Sequence, residues 1–218
     1  MELTYTEENY IKSIYHLGCE SSSQETSTNT IAEYLLIKPA TVTSMLKRLR
    51  EKEVITYQRY GKVQLTKVGT DIALQIIRKH RLWEVFLVEK LSFKWDEVHE
   101  VAEQLEHIQS EKLINKLEAF LEFPTHDPHG DPIPDIKGKV KNISKITLSQ
   151  ANIGKVYQVV AVKDSSSEFL HYLMQLHITL ATPIKIIKKI EFDNSLNILV
   201  NKKEINVSEK FANNIFIS

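Results

Sequence analysis

Residues 30–49 read TIAEYLLIKPATVTSMLKRL, and this stretch decides the fold of the first part of the chain. Proline suits the first turn of a helix, so a second helix begins near Pro39, after a short helix over residues 30–35 and a tight connection. Residues 54–65 then alternate apolar and polar around Tyr60-Gly61, which predicts a hairpin. Helix, turn, helix and hairpin together predict a winged helix-turn-helix. The side chains at helical spacing that can pack its two helices together are Ile31, Leu35, Val42, Met45, Leu46 and Leu49.

The outer face of the second helix carries small and cationic side chains. A recognition helix presents its N-terminal residues to base edges in the major groove, where small side chains permit close approach. Ala40 also suits contact with a thymine methyl group. These features predict binding to duplex DNA, and an ordinary solvated basic face is the alternative. The predicted base-facing residues are Lys38, Ala40, Thr41 and Ser44, and the cations predicted to neutralise phosphates are Lys47, Arg48, Arg50, Arg59 and Lys62.

The composition of the whole chain limits the class of protein. Its 218 residues are 42% hydrophobic, which is enough for one large domain or two small ones. Lys+Arg and Asp+Glu both number 28, so any DNA-binding surface must be a local basic patch. The single cysteine, Cys19, excludes an intrachain disulfide framework and a cysteine-rich zinc site. With no apolar run of membrane-spanning length and no signal peptide, we expect a cytoplasmic protein with no membrane partner.

The remaining pattern predicts a mainly α protein with a small all-β domain. Thr6 is a plausible N-cap for a first helix, and the polar stretch 19–29 predicts a loop. Further helices are expected over residues 66–91, 95–108 and 110–121, followed by a proline-rich stretch without helix over 123–135. Short β-branched runs at 156–162, 183–190, 195–200 and 214–217 predict a small barrel. We therefore expect domains at 1–66, 67–123 and 151–218, with a linker at 124–150.

Carboxylates and imidazoles gather on one face of the helix predicted over residues 95–108. His99, Glu103, Glu106 and His107 lie within about a third of the circumference at ~100° per residue. Oxygen and nitrogen ligands of this kind suit divalent first-row metals. A solvated polar face is the alternative interpretation.

A second candidate set lies on the preceding helix. His80 and Glu84 are four residues apart on its apolar stripe, where unpartnered polar groups cost several kcal/mol. They indicate either a self-satisfied pair or a metal shared with another helix. The loop residues His126, Asp127 and His129 add three potential ligands.

Several separate motifs now resemble one known family. They are Thr6-Glu7-Glu8-Asn9-Tyr10-Ile11, Pro39-Ala40-Thr41-Val42-Thr43, Arg78-Lys79-His80-Arg81-Leu82, residues 98–107 (VHEVAEQLEH) and residues 128–134 (PHGDPIP). In this order they are similar to the diphtheria-toxin-repressor/manganese-repressor (DtxR/MntR) family of bacterial metalloregulators, over essentially the whole chain. The resemblance implies a winged-helix domain, a helical metal-binding and dimerisation domain, and an SH3-like (FeoA-like) tail.

The resemblance also implies two metal sites in each subunit. The activating site maps to Asn9, Glu103, Glu106 and His107. The ancillary site maps to His80, Glu84 and His99 in toxin-repressor-like members. In streptococcal-type members it maps to His80 or Glu84 with Asp127, His129 and a carboxylate of the tail, for which Asp164 is the first candidate and Glu168 the second.

Three positions depart from the family pattern and bear on the metal. Asn9 stands where members have Asp or Met, which weakens this ligand or transfers its role to Glu8. Lys12 stands where short manganese-sensing members have Glu, which argues against their close two-metal cluster. Asp127 stands where related long members often have Cys.

Glu103 occupies a position that is Glu in manganese-sensing members, so Mn2+ is favoured, with Fe2+ next.

The function that follows is a metal-dependent repressor, not an enzyme, that binds palindromic operators as a homodimer to control metal homeostasis. Mn2+ or Fe2+ is the expected cofactor, and Zn2+, Co2+ or Ni2+ are expected to substitute in vitro. A winged-helix regulator controlled by a non-metal ligand is the first alternative. A metallohydrolase is the second, but the sequence offers it no separate general base.

Overall fold

A computed structural model describes residues 2–21, 23–57, 62–141, 144–164 and 166–218. The chain divides into two compact units that are each discontinuous in sequence. Unit 1 comprises Met1–His80, Glu106–Gln109 and Pro134–Lys139, and unit 2 comprises Arg81–Leu105, Ser110–Ile133 and Val140–Ser218.

Helix α1 (Tyr5–Glu20) opens unit 1, and its first turn is closed by a capping box. The Glu7 amide donates to Thr4 Oγ1 at 3.3 Å, and the Thr4 amide donates to Glu7 Oε2 at 2.8 Å. This arrangement satisfies donors that the helix itself leaves unpaired. The predicted N-cap, Thr6, is therefore wrong, because Thr6 lies inside the helix and Thr4 caps it.

The predicted winged helix-turn-helix forms, while the predicted hairpin turn at Tyr60-Gly61 lies outside the described residues. Strand β1 (Thr26–Ser27) leads into α2 (Thr28–Tyr34), α3 (Pro39–Glu51), β2 (Ile55–Tyr57) and β3 (Lys62–Leu65), and the antiparallel strands lie in the order β1-β3-β2. The polar stretch 19–29 is not wholly a loop, since α1 extends to Glu20 and β1 pairs with β3. The buried core that holds α1, α2, α3 and the wing together includes Ile11, Ile14, Ile31, Val42, Leu46, Leu49 and Val63.

Three further helices follow. They are α4 (Lys67–Leu91), α5 (Val98–Leu105) and α6 (Glu111–Phe120), the last capped by the Ser110 hydroxyl. The predicted helix over residues 95–108 is shorter at both ends, so Glu106 and His107 lie in the turn that follows α5. This turn belongs to unit 1, whereas α5 belongs to unit 2.

Six antiparallel strands make the β part of unit 2. They are β4 (Ile146–Thr147), β5 (Val156–Val162), β6 (Pro183–Lys189), β7 (Leu196–Val200), β8 (Lys203–Val207) and β9 (Ile215–Ile217), in the order β4-β9-β5-β6-β7-β8. Two helices that the sequence pattern did not predict, α7 (Ser167–Gln175) and α8 (Glu209–Asn213), join them. Leu148, Leu170, Leu173, Ile178 and Ile184 are among the fully buried residues of this core.

The proline-rich loop packs against strand β5 within unit 2. The Val162 amide donates to the His129 carbonyl at 3.0 Å, and Gly130 adopts a φ of +88°. A Cβ at Gly130 would overlap the Val160 carbonyl oxygen and approach Ala161 Cα to 2.7 Å. Only glycine permits this close approach. The contact with β5 therefore fixes the positions of the neighbouring residues His129 and Asp131.

We expect Gly130→Ala to destabilise the protein far more than Gly154→Ala. Gly154 has a φ of +82° with no atom within 4 Å of the added Cβ, so its substitution costs backbone strain alone, about 1–2 kcal/mol. Gly130→Ala adds overlap with β5 to a similar strain. Urea denaturation of both variants measures the difference, and equal losses would show that the loop does not depend on close approach to β5.

Candidate metal centres and nucleic-acid interface

The centre of the first candidate site is the carboxylate of Glu106, which is completely buried in unit 1. Lys12 Nζ from α1 lies 2.7 Å from Glu106 Oε1 and 2.9 Å from Oε2, and His80 Nδ1 from α4 lies 2.6 Å from Oε2. Burial alone would raise the pKa of Glu106, but the His80 hydrogen bond and the Lys12 charge lower it below its ordinary value. Glu106 is therefore held as a buried carboxylate, which is the protonation state that a metal requires.

His107 is oriented by a second carboxylate of α1. Its Nδ1 lies 2.6 Å from Glu8 Oε2, while Gln109 Nε2 donates to Glu8 Oε1 at 2.6 Å. Tyr5 stacks on the His107 ring with centroids 4.5 Å apart. The other ring nitrogen, Nε2, lies 4.0 Å from Glu106 Oε1. A carboxylate that fixes one imidazole nitrogen and leaves the other beside a second carboxylate is the arrangement found around histidine metal ligands.

Asn9 provides an independent test of whether this region fits a metal. Its Oδ1 is buried and has no hydrogen-bond partner among the described residues. A buried acceptor without a partner costs free energy, and a cation would satisfy it. The sequence left open whether Glu8 takes over the role of Asn9. Glu8 instead engages His107 and Gln109, which favours a supporting role for Glu8 and leaves Asn9 Oδ1 available as a ligand.

A second cluster lies within unit 2. Glu84, Asp127 and His129 are all buried and offer ligand atoms within 4.8 Å of one another. His129 Nδ1 lies 3.6 Å from Glu84 Oε1, and Arg81 Nε lies 3.4 Å from Asp127 Oδ2. The His129 ring stacks on Trp95 with centroids 5.5 Å apart and planes 12° apart.

The electrostatics of this cluster favour a bound cation. Burial, with Glu84 and Asp131 nearby, raises the pKa of Asp127 to about 7, against the smaller opposing effects of Arg81 and His129. Burial alone would lower the pKa of His129, but its contact with Glu84 raises it. A divalent ion bound here would favour the ionised form of Asp127 and offset the buried negative charge.

The predicted DNA-contacting face of α3 is exposed. Lys38 is its N-cap residue and Pro39 occupies the first turn, while Val42, Leu46 and Leu49 face the core. Lys62 lies on β3, where Nζ contacts Glu25 Oε2 at 2.7 Å. Arg59 lies outside the described residues. The predicted contact residues of α3 that are exposed are Lys38, Ala40, Thr41, Ser44, Lys47, Arg48 and Arg50.

Comparison with known proteins agrees with this architecture. The N-terminal DNA-binding domain of iron-dependent repressors matches residues 2–63, their metal-binding and dimerisation domain matches 66–135, and the FeoA domain matches 146–218. A solved manganese-dependent transcriptional repressor in complex with manganese is 31% identical, with a TM-score of 0.87 over 97% of this chain and 98% of that chain. The chain belongs to the DtxR/MntR family.

Two other members of the family indicate its range. The manganese regulator SloR is 30% identical, with a TM-score of 0.79 over 97% of both chains. The iron-dependent repressor IdeR of Mycobacterium tuberculosis is 34% identical over 135 residues, which is 62% of this chain and 58% of that relative. The IdeR match thus spans little more than half of that relative. No helix of the described residues is long and apolar enough to traverse a lipid bilayer.

The ligands implied by the DtxR/MntR resemblance make contacts within each unit. His80 contacts Glu106 in unit 1, whereas Glu84 contacts both His129 and, at 3.4 Å, His99 Nδ1 in unit 2. Glu103 lies on α5 in unit 2, 3.5 Å from His99 Nε2, so its place beside Asn9 stays a prediction.

Asp164, the implied tail ligand, also stays a prediction. Its Oδ1 accepts the Ser166 amide at 2.9 Å, and the described cluster of Glu84, Asp127 and His129 does not include it. Sequence reasoning did not identify Trp95 or Gln109 as parts of these sites. Neither residue type signals metal binding, and both act through a contact with a histidine or a carboxylate that only the fold brings near.

Glu7 anchors the C-terminal end of the recognition helix to α1. Lys52 Nζ lies 2.8 Å from Glu7 Oε2, and Arg48 Nη2 lies 3.4 Å from Glu7 Oε1. Burial alone would raise the pKa of Glu7, but hydrogen bonds from Lys52 and Thr4 lower it below its ordinary value of 4.5. The ionised form is therefore the one that stabilises the fold.

We expect Glu7→Gln to lower the free energy of unfolding by about 1–3 kcal/mol at neutral pH, because it removes charge-assisted hydrogen bonds. Since the folded pKa is depressed, this contribution is complete above the ordinary value of 4.5 and is lost as pH falls through the folded pKa. Urea denaturation at several pH values checks this. Glu2→Gln, which removes an exposed carboxylate nearby, is the control. A deficit in Glu7→Gln that persisted unchanged in acid would contradict the assignment.

Proposed function

We propose that this protein is a metal-dependent transcriptional repressor that binds palindromic DNA operators as a homodimer, and that Mn2+ or Fe2+ activates it. The observation that carries the proposal is the contact of His107 with Glu8 of α1, next in sequence to the completely buried Glu106. Because α1 packs in the core of the winged helix-turn-helix, an ion bound at these residues bears directly on the DNA-binding domain.

Asn9, Glu106 and His107, which all lie in unit 1, would hold the activating ion. An ion bound there supplies a divalent positive charge that ties oxygen and nitrogen ligands of different elements together. The chain's own residues prepare the site: Glu8 orients His107, and Asn9 contributes an otherwise unsatisfied acceptor. Oxygen ligands with one imidazole favour Mn2+ over softer metals, and family members named for both manganese and iron support this pair of metals.

Glu84, Asp127 and His129 would hold a second ion in unit 2. His99 adjoins Glu84 and extends the set of donors. The stacking of Trp95 on His129 and the approach of Gly130 to β5 fix the loop that carries two of these ligands. We assign this site a structural or modulating role, because it contains no residue of the winged helix-turn-helix.

Operator binding is assigned to α3 and the wing. The exposed N-terminal part of α3 suits entry into the major groove, and the cations after it suit contacts with phosphates. A palindromic operator requires two copies at a fixed separation, and the matched metal-binding and dimerisation domain supports a homodimer. Holding α1 to the other metal ligands would favour the distance between the two copies of α3 that fits the two half-sites of the operator. A repressor that binds DNA in this way would act in the cytoplasm.

We expect Mn2+ to tighten operator binding about tenfold or more, and His107→Ala to abolish this response. Fluorescence anisotropy at fixed salt, on a palindrome selected from genomic fragments, measures both with and without a chelator. His171→Ala, at an exposed histidine of α7, is the matched control and should respond like the wild type. Tight binding indifferent to metal would instead favour control by an organic ligand.

Glu8→Gln should weaken Mn2+ binding about 10- to 100-fold, because carboxylates that orient a ligating histidine contribute this much to affinity. Isothermal titration calorimetry of the whole protein provides the measurement. Glu100→Gln, at an exposed position of α5, controls for the loss of one negative charge. Unchanged affinity in Glu8→Gln would remove Glu8 from the metal centre.

A further inference from the structure

We propose that Lys12 is a built-in competitor of the activating metal, and that its ammonium group sets the metal concentration at which the first site fills. This inference rests on the proposed function, since it assumes that Glu106 binds the activating ion. It gives Lys12 an effect on the metal affinity of the first site, although Lys12 is not itself a metal ligand.

The geometry shows a carboxylate whose two oxygens both already have partners. Lys12 Nζ lies 2.7 Å from one oxygen of Glu106 and 2.9 Å from the other, and His80 Nδ1 lies 2.6 Å from the second oxygen. The Lys12 side chain is 12% exposed and that of Glu106 is 0% exposed, so water screens this pair poorly. An ion cannot bind Glu106 unless it disrupts these contacts or accepts an ammonium group in contact with its own ligand.

Both outcomes oppose metal binding. If Lys12 stays, a divalent ion and an ammonium group share one carboxylate and repel each other, since the interaction of charges grows as their separation and the local dielectric fall. If Lys12 leaves, a well-formed and largely buried ion pair is lost.

The same contact explains how the protein tolerates the site without metal. A buried carboxylate with no partner is strongly destabilising, and Lys12 supplies that partner. Lys12 thus stabilises the metal-free fold at the expense of metal affinity. Because the opposing effect depends on the charge of the ion, it reduces the affinities for different divalent metals by similar factors. Lys12 therefore sets a threshold and does not select among metals.

The test compares metal binding by the full-length protein and three lysine variants. Lys12→Met keeps the apolar stem and removes the charge, and Lys12→Gln also keeps a hydrogen-bond donor for Glu106. We expect both to bind Mn2+ at least about tenfold more tightly by calorimetry, while the ratio of Mn2+ to Zn2+ affinity stays as in the wild type. Lys94→Met removes an exposed lysine paired with Glu97 and should leave the affinity unchanged.

Thermal unfolding without metal supplies a readout independent of DNA binding. Lys12→Met should lower the Tm of the metal-free protein and enlarge the rise in Tm caused by Mn2+. If Lys12→Met does not fold without metal, the Mn2+ affinity and the Tm of Lys12→Gln decide whether Lys12 opposes metal binding. Unchanged or weaker Mn2+ binding by the folded Lys12 variants, in a protein whose wild type binds Mn2+, overturns the role of Lys12. Failure of the wild type to bind Mn2+ or Fe2+ overturns the proposed function instead.

Discussion

The contacts that join α1, α4 and the turn after α5 depend on one buried carboxylate, that of Glu106. Transfer of a carboxylate from water to a protein interior is costly unless cations and hydrogen-bond donors surround it. In this chain Lys12 and His80 meet that requirement, and they come from α1 and α4. The short segment that carries Glu106 therefore belongs with the winged helix-turn-helix, although the helix before it belongs to unit 2. His107 follows in sequence and reaches Glu8 on the same helix as Lys12.

Burial of carboxylates is also costly in the second cluster, but different residues surround them there. Glu84 and Asp127 are both buried, and burial with the nearby charges of Glu84 and Asp131 raises the pKa of Asp127 to about 7 despite Arg81 and His129. Hydrogen bonds from backbone amides to a side chain hold the loop that carries Asp127 and His129. The Asp127 carboxylate accepts from the His129 and Asp131 amides at 2.8 Å and 2.9 Å. A rigid loop that carries a buried carboxylate and a buried imidazole beside Glu84 is suited to binding a cation.

Much of the fold could be predicted because its signals are local. Pro39 marked the start of α3, and β-branched runs marked β5, β6, β7 and β9. The capping box of α1 was present in the sequence as Thr4 and Glu7, but Thr6 satisfied the simpler N-cap rule equally well. Strand β8 was missed because its hairpin turns at Asn201 and Lys202, both with positive φ. A lysine in that conformation gives no turn signal of the kind that glycine gives.

The candidate sites were predictable only as sets of residues. Helical periodicity grouped Glu103, Glu106 and His107 on one face, but the helix ends at Leu105. The prediction was wrong here because periodicity does not report where long-range contacts replace helical hydrogen bonds. No pattern in sequence joins Lys12 to Glu106 or Glu8 to His107, since each pair is separated by more than 90 positions. The family resemblance supplied the ligand sets, whereas the supporting residues emerged from the packing.

The most direct test of the central claim is to count bound Mn2+ ions by electron paramagnetic resonance during titration of the wild type and Glu106→Gln. If Glu106 is the centre of one site and Glu84, Asp127 and His129 form another, Glu106→Gln loses one class of bound ion and keeps the second. If both classes remain with unchanged affinity, Glu106 is not a metal ligand, and its contacts with Lys12 and His80 serve the fold alone.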